Sequence, residues 1–276
     1  MASLGELLVA HAERLVALGV TSDGRAVVVK VDRDLDGHRR EAAVLARLAA
    51  AGVSVPAVVS TTVVDEPPAG VLVLERLPGE PLGQAGLEDE RFGPGTWALV
   101  GEALARLHAC PVAAPGPPMG GHTESTFAAH LGSWGAANRR HGRSEGWLTG
   151  AEADRHDALV GRLVELVAPR PEVLIHGDCS PQHWLVAVPE GPVGLIDLGD
   201  AGMGDPVYDL VVLTLTQPHH LPAVLDGYGA DDDLRAHVAA SAPGYRALRL
   251  AGEMAWLIDH GFDPSPTIPR VRAALR

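Results

Sequence analysis

Short apolar runs punctuated by Gly, Pro and Asp open the chain, and stretches with apolar residues three or four apart dominate the rest of it. Thr21 to Gly24 (TSDG) is a turn signal, so Glu13 to Val20 and Arg25 to Val31 read as a hairpin. Residues 4 to 18, LGELLVAHAERLVAL, fit a helix or a strand pair, and periodicity does not choose between them. Leu35 to Ala51 reads as a helix, stopped by Gly52 and then Pro56. Gly70 to Leu74 is a buried strand running into Glu75–Leu82. Trp97 to Ala109, Phe127 to Arg143 and Glu152 to Val167 carry helical periodicity, with His108 as a cap or packing residue. Between them, Gln84 to Gly95 is loop-like, and Pro111 to Gly121 is too rich in Pro and Gly for regular structure. Helices at Leu210 to Leu215, Ala236 to Ala240 and Tyr245 to His260 complete the pattern, which contains no internal repeat or coiled coil.

The stretch Val173 to Asp209, VLIHGDCSPQHWLVAVPEGPVGLIDLGDAGMGDPVYD, concentrates the chemistry. A short apolar strand ends at His176-Gly177-Asp178, and a second runs from Trp184 to Val188. After a Pro-Glu-Gly-Pro turn, a third from Val193 to Ile196 ends on Asp197. The first and third strands each deliver a carboxylate where ordered backbone gives way to loop, the usual place for reactive groups. His183 joins them on the same small unit, close enough to share a metal ion with Asp197.

Composition adds one sharp clue. Of 22 basic residues only Lys30 is a lysine, in the strand-like run Ala-Val-Val-Val-Lys-Val. Where Arg has replaced Lys elsewhere, a surviving Lys marks a position that needs a compact ammonium. In the following helix, Glu41 shares a face with Val44, Leu45 and Leu48. An inward carboxylate is costly unless a cation meets it, and Lys30 is the candidate. The other reading puts Glu41 at the rim, bonded to Arg39, Arg40 or solvent.

The remaining bulk properties exclude more than they assign. The 276 residues, 46% hydrophobic and 21% charged, suit a soluble globular protein of one domain or two lobes. No apolar run approaches the ~18 to 20 residues of a membrane span, and the N-terminus shows no secretion signal. Cys110 and Cys179 read as reduced cytoplasmic thiols, not a disulfide framework or zinc cluster. The net charge is −13, and residues 171 to 234 contain eleven Asp or Glu without one Lys or Arg. Such a surface repels phosphate backbones and favours metal ions and cationic small molecules over nucleic acid. The basic cluster Arg139 to Arg143 reads as a solvated face.

The order His-Gly-Asp, His183 five residues beyond Asp178, Ile-Asp-Leu-Gly-Asp and Gly-Asp-Pro-x-x-Asp-Leu resembles the aminoglycoside phosphotransferase family of small-molecule kinases. The resemblance implies an α+β, bilobal protein-kinase-like fold. A small N-terminal antiparallel sheet plus helix (1–77, nucleotide-binding) would face a larger, mostly helical lobe (78–276, catalytic and acceptor-binding). It implies Asp178 as catalytic base, Lys30 and Glu41 at the nucleotide phosphates, and the Glu75 carbonyl and Leu77 amide at the adenine. His183 and Asp197 would hold Mg2+, His176, Asp205 and Asp209 would brace the loops, and Asp200 could rim the metal site. His183 stands where the family has Asn, and imidazole leaves Mn2+ as an option. A glycine-rich phosphate loop, expected near Ala10 to Ala12, is not visible in the sequence. The implied activity is transfer of the ATP γ-phosphate to a hydroxyl of a cationic antibiotic (aminoglycoside or cyclic peptide), or of a choline-, homoserine- or sugar-type metabolite. Two other readings are a binuclear metal hydrolase built on the same His and Asp residues, and a catalytically weak nucleotide-binding relative.

Overall fold

The computed structural model describes residues 3–10, 14–83, 91–111, 123–187 and 191–276. Five strands open the chain: β1 (Ser3–Ala10), β2 (Arg14–Val20), β3 (Ala26–Asp32), β4 (Val58–Asp65) and β5 (Pro68–Glu75). They form one antiparallel sheet in the order β1-β2-β3-β5-β4. Residues 4 to 18 are therefore a strand pair, while residues 11–13, which include most of the expected phosphate-covering loop, lie outside the described residues. The TSDG turn closes through the Thr21 amide donating to Arg25 O at 2.9 Å, which fixes the β2–β3 register and pairs Val16 with Lys30.

Helix α1 (Leu35–Ala50) follows β3. Asp34 caps it by accepting from the amides of Asp36 and Gly37, satisfying donors with no partner inside the helix. Its Leu45 and Leu48 are buried in a cluster that includes Leu72 and Leu74 of β5, so burial of one apolar stripe ties the helix to the sheet. Glu41 is on the buried side of this helix.

The remainder is mainly helical: α2 (Pro94–His108), α3 (Phe127–Ser144), α4 (Gly150–Val167), α5 (Pro206–Leu213), α6 (Leu221–Tyr228), α7 (Asp232–Asp259) and α8 (Ile268–Ala274). Two small sheets sit among them. Strand β6 (Glu80–Pro81) pairs with β8 (Trp184–Val186), which pairs with β9 (Val193–Leu195). Strand β7 (Val173–Ile175) pairs with β10 (Gly202–Gly204). The apolar cluster containing Leu45 and Leu72 extends through Trp97, Leu104, Trp184 and Leu210 to Tyr245, and a smaller one joins Leu148, Met254 and Val271.

Helix α7 corrects the sequence reading. Two helices separated near Pro243 are one helix of 28 residues with Pro243 inside it. Proline removes the bond to the carbonyl four residues earlier. Pro243 and Ala239 are both exposed, so water can satisfy that carbonyl. Helix α5 likewise starts earlier than its apolar run, because Asp205 caps it and Pro206 occupies the first turn.

Candidate functional site

Strand β3 and helix α1 bring Lys30 and Glu41 together. The Lys30 Nζ donates to Glu41 Oε1 at 2.7 Å and Oε2 at 2.9 Å. It also donates to Asp197 Oδ1 at 2.6 Å, 167 residues away in sequence. Lys30 and Glu41 are 8% and 5% exposed, so the inward reading of Glu41 holds and its rim alternative does not. Burial would lower the Lys30 pKa, but Asp197 and Glu41 outweigh it and raise the value. Arg14 of β2 adds a second cation, with Nη1 3.9 Å from Asp197 Oδ1 while its Nε donates to Asp32 at 2.7 Å.

Asp197 follows β9 with φ of 62°, the left-handed region that non-glycine residues rarely occupy. Asp is among the side chains that tolerate it, and such conformations cluster at functional sites. Burial pushes its carboxyl up, yet Lys30, His183 and Arg14 hold it far below the usual carboxylate range.

His183 lies in a short 3-10 turn, Pro181–His183, just before β8. Its Nδ1 is 2.7 Å from the Asp178 carbonyl, which only accepts, so Nδ1 carries the proton. In the neutral ring the Nε2 lone pair then lies 3.7 Å from Asp197 Oδ2. An oxygen and a nitrogen at that separation fit joint coordination of a divalent ion with bonds of about 2.0–2.2 Å, the ligand pair the sequence suggested. Among the described residues no three His, Cys, Asp or Glu side chains gather around one point, so the remaining ligands would come from phosphate or water.

Asp178 ends the loop after β7. Its Oδ1 accepts from Arg249 Nη2 at 2.9 Å and from Ser180 Oγ at 3.1 Å. Burial raises its pKa, but Arg249, His183 and His176 outweigh that and leave the carboxyl below its ordinary value. His176 joins two strand ends: Nε2 donates to Ile196 O at 2.9 Å, and Nδ1 accepts the Asp178 amide at 3.2 Å. Its ring stacks on that of His183 at 5.7 Å.

Asp209 is fully buried in α5 and accepts the His176 amide at 2.6 Å and the Gly177 amide at 3.1 Å. His108 bonds the same carboxylate at 3.1 Å and Tyr228 at 2.9 Å, so it is tied into the loop's support and is more than a helix cap. Asp205 caps α5 through the Val207 amide and accepts from Tyr245 Oη at 2.7 Å and His237 Nε2 at 3.0 Å. A carboxylate so fully engaged is not a metal ligand, which removes one member of the binuclear hydrolase set. Asp200 is solvent-exposed, yet partial desolvation and the charges of Asp178 and Asp197 raise its pKa.

The segment expected to take the adenine leaves β5 at Glu75, whose amide donates to Ala57 O at 2.9 Å, and the Arg76 amide donates to Ala26 O at 3.1 Å. Leu77 packs against Gly194 of β9, where an added Cβ would come within 2.8 Å of Leu77 Cδ1. The Arg139–Arg143 cluster is a paired surface: Arg139 Nε lies 2.6 Å from Asp157, and His141 Nε2 lies 3.1 Å from Asp259. Cys179 is buried with its thiol pKa raised by burial and by Asp209, an inert group. Sequence reasoning missed Arg249, Ser180 and Arg14. Each is one of many residues of its type and reaches the site only through the fold.

The Phosphotransferase enzyme family model matches residues 10–251. Aminoglycoside phosphotransferase APH(4)-Ia, solved as a thermostable mutant with ADP and hygromycin B, is 17% identical with a TM-score of 0.75, over 99% of this chain and 94% of that one. Macrolide 2'-phosphotransferase from Brachybacterium faecium is 20% identical with a TM-score of 0.64, covering 100% and 92%. Ethanolamine kinase from Plasmodium vivax is 12% identical with a TM-score of 0.71, covering 100% and 82%. At these identities the likeness speaks for the protein-kinase-like fold. No curated protein matches the chain. With the family model spanning most of its length, the chain belongs to the Phosphotransferase enzyme family and is a phosphotransferase.

Proposed function

We propose that the chain transfers the γ-phosphate of ATP to a hydroxyl of a small molecule. The observation that carries this is the contact of Lys30 with both Glu41 and Asp197, with Asp178 and His183 on the adjoining loop. Phosphoryl transfer asks mainly for alignment and charge neutralisation. Lys30, oriented by Glu41, would bind the nucleotide phosphates, and the backbone at Glu75 and Leu77 would take the adenine. The boundary between the nucleotide-binding and acceptor-binding lobes then falls at residues 77 and 78.

Asp197 and His183 would hold the divalent ion, Mg2+ or Mn2+. Such an ion would supply neutralisation of the charge that builds up during phosphoryl transfer. Asp178 accepts a hydrogen bond from the acceptor hydroxyl and takes its proton as the oxygen attacks phosphorus. Its lowered pKa makes it a weak base, so orientation of the oxygen is its larger contribution. His176, Asp209 and Asp205 keep the loop in shape.

For the acceptor, the reading is a hydroxylated cationic antibiotic of aminoglycoside or cyclic-peptide type, with resistance as the consequence. The acidic run from residue 171 to 234 supports an amine-bearing acceptor. An amino-alcohol metabolite is the second reading, supported by the fold shared with ethanolamine kinase. Among the described residues no helix is long and apolar enough to cross a membrane. The free buried Cys110 and Cys179 suit a reducing compartment such as the cytoplasm.

The deciding experiment incubates purified protein with ATP and Mg2+ against a panel of aminoglycosides, cyclic peptide antibiotics, choline, ethanolamine, homoserine and sugars. A phosphorylated product with matching ADP release is expected. ATP consumption only to free phosphate across the whole panel would refute the assignment.

A further inference from the structure

The Asp178 carboxylate is held asymmetrically. Both of its side-chain hydrogen bonds, from Arg249 Nη2 at 2.9 Å and Ser180 Oγ at 3.1 Å, end on Oδ1. Among the described residues Oδ2 accepts none. His183 Nδ1, 3.9 Å from Oδ2, directs its proton to the Asp178 carbonyl. An ionised carboxylate with two donors on one oxygen keeps a fixed plane and leaves its other oxygen open to a third donor.

Arg249 is well placed to impose that plane. It projects from α7, 71 residues from Asp178, and its side chain is only 24% exposed. Its root belongs to the 28-residue helix that is tied to the Asp205 cap through Tyr245. Glu253, one turn further along, attracts Arg249 and is itself fixed by Arg270 at 2.8 Å and Thr267 at 2.9 Å. The helix that carries Arg249 is therefore fixed independently of the loop that carries Asp178. Ser180 is only two residues from Asp178, so of the two donors on Oδ1 only Arg249 comes from a helix outside the loop.

Resting on the phosphotransfer reading, we infer that Arg249 is a positioning residue. It clamps Oδ1 so that Oδ2 receives the acceptor hydroxyl. In the step this serves, the hydroxyl oxygen forms a bond to the γ-phosphorus while the bond from that phosphorus to the ADP oxygen breaks. The hydroxyl proton passes to Oδ2. Arg249 touches neither reactant, and its effect passes entirely through Asp178.

The test is a double-mutant cycle of R249Q and D178N, with R249K as the conservative variant. R249Q should lower kcat about a hundredfold, the size of effect a small misplacement of a reacting group produces. The KM for ATP, the affinity for AMP-PNP with Mg2+ and the melting temperature should stay near wild type. In the D178N background R249Q should change the residual rate less than twofold. R249K, which keeps a cation able to reach Oδ1, should recover at least tenfold over R249Q, and it serves as the probe if R249Q does not fold. Equal losses from R249Q with and without Asp178, or a loss confined to the acceptor KM, would overturn the inference. A wild-type protein that phosphorylates no acceptor would instead sink the phosphotransfer reading and take this inference with it.

Discussion

At the scale of single residues, charge placement decides the behaviour of the site. Asp178 and Asp197 each lie below the ordinary carboxylate range because a neighbouring cation outweighs burial, Arg249 in one case and Lys30 in the other. Asp178→Asn keeps size and most contacts but cannot accept a proton, so kcat should fall ~10²–10⁴-fold. Calorimetry should show AMP-PNP affinity within about twofold of wild type. Lys30→Met leaves the buried Glu41 without its cation and Asp197 with Arg14 alone, a loss of ~3 to 5 kcal/mol for the buried pair. A melting temperature lower by about 6 °C or more is expected from scanning calorimetry. The pH dependence arises from the same groups. A carboxyl whose folded pKa is depressed stabilises above its unfolded value near ~4 and loses that contribution as pH falls through the folded one. Thermal stability should therefore be insensitive to these two acids from pH 7 to 5 and fall below about pH 4. Lys30, raised on folding, contributes fully below about pH 10 and loses its contribution only as pH rises above that. Lys30 was legible in sequence because it is the sole lysine, and Glu41 because it broke an apolar helix face. Arg249 was not, since one arginine of many in a helix carries no local mark of a carboxylate 71 residues away.

At the scale of elements, the strand-end motifs were readable because each couples a short apolar run to a turn within a few residues. The β7, β8 and β9 strands are where the pattern put them, with Asp178, His183 and Asp197 just beyond or before their ends. Residues 4 to 18 could not be resolved, because β1 is exposed on both faces and shows no alternation to distinguish it from a helix. Pro243 misled for the opposite reason: a helix breaker is tolerated where its orphaned carbonyl reaches water. The α2–α6 contact was also invisible in sequence. A Cβ on Gly101 would lie 2.1 Å from Val224 O, and one on Gly227 would lie 1.9 Å from Ala98 O. The two backbones approach so closely that neither glycine has room for a methyl group. Gly227→Ala should cost at least ~1–3 kcal/mol from forced displacement of backbone. Urea unfolding checks this: a midpoint unchanged from wild type would mean that the helices separate at little cost. Since α2 carries His108, which bonds the Asp209 carboxylate under the Asp178 loop, turnover should decline along with stability.

Across the whole molecule, polar contacts tie the antiparallel sheet and its helix to the helical remainder, two of them at Asp197. Lys30 and Arg14 reach it from β3 and β2, the Leu195 amide donates to Ser54 O at 2.9 Å, and Arg40 Nη2 approaches Gly199 O at 3.4 Å. The bond of Lys30 to Asp197 occupies the carboxylate that would bind the ion, so nucleotide and ion must be inserted between groups that already attract each other. On the proposed function, Lys30 would exchange its bond to Asp197 for the nucleotide phosphates, leaving Asp197 and His183 to hold the ion. A ligand that binds only the folded protein at a hundred times its Kd stabilises it by about 2.7 kcal/mol. ATP with Mg2+ should therefore raise the melting temperature by several degrees. ATP with a chelator should give a smaller rise, because Lys30 remains but the ion does not. Asp197→Asn tolerates the same left-handed backbone, loses the charged oxygen and should abolish the Mg2+-dependent part of the rise while sparing the rest. His183→Asn should shift the preference from Mn2+ toward Mg2+, since an amide oxygen replaces an imidazole nitrogen in the same pair. Equal Mg2+-dependent stabilisation of wild type and Asp197→Asn would mean that the ion binds elsewhere, and the two halves would then be joined through the nucleotide without this carboxylate.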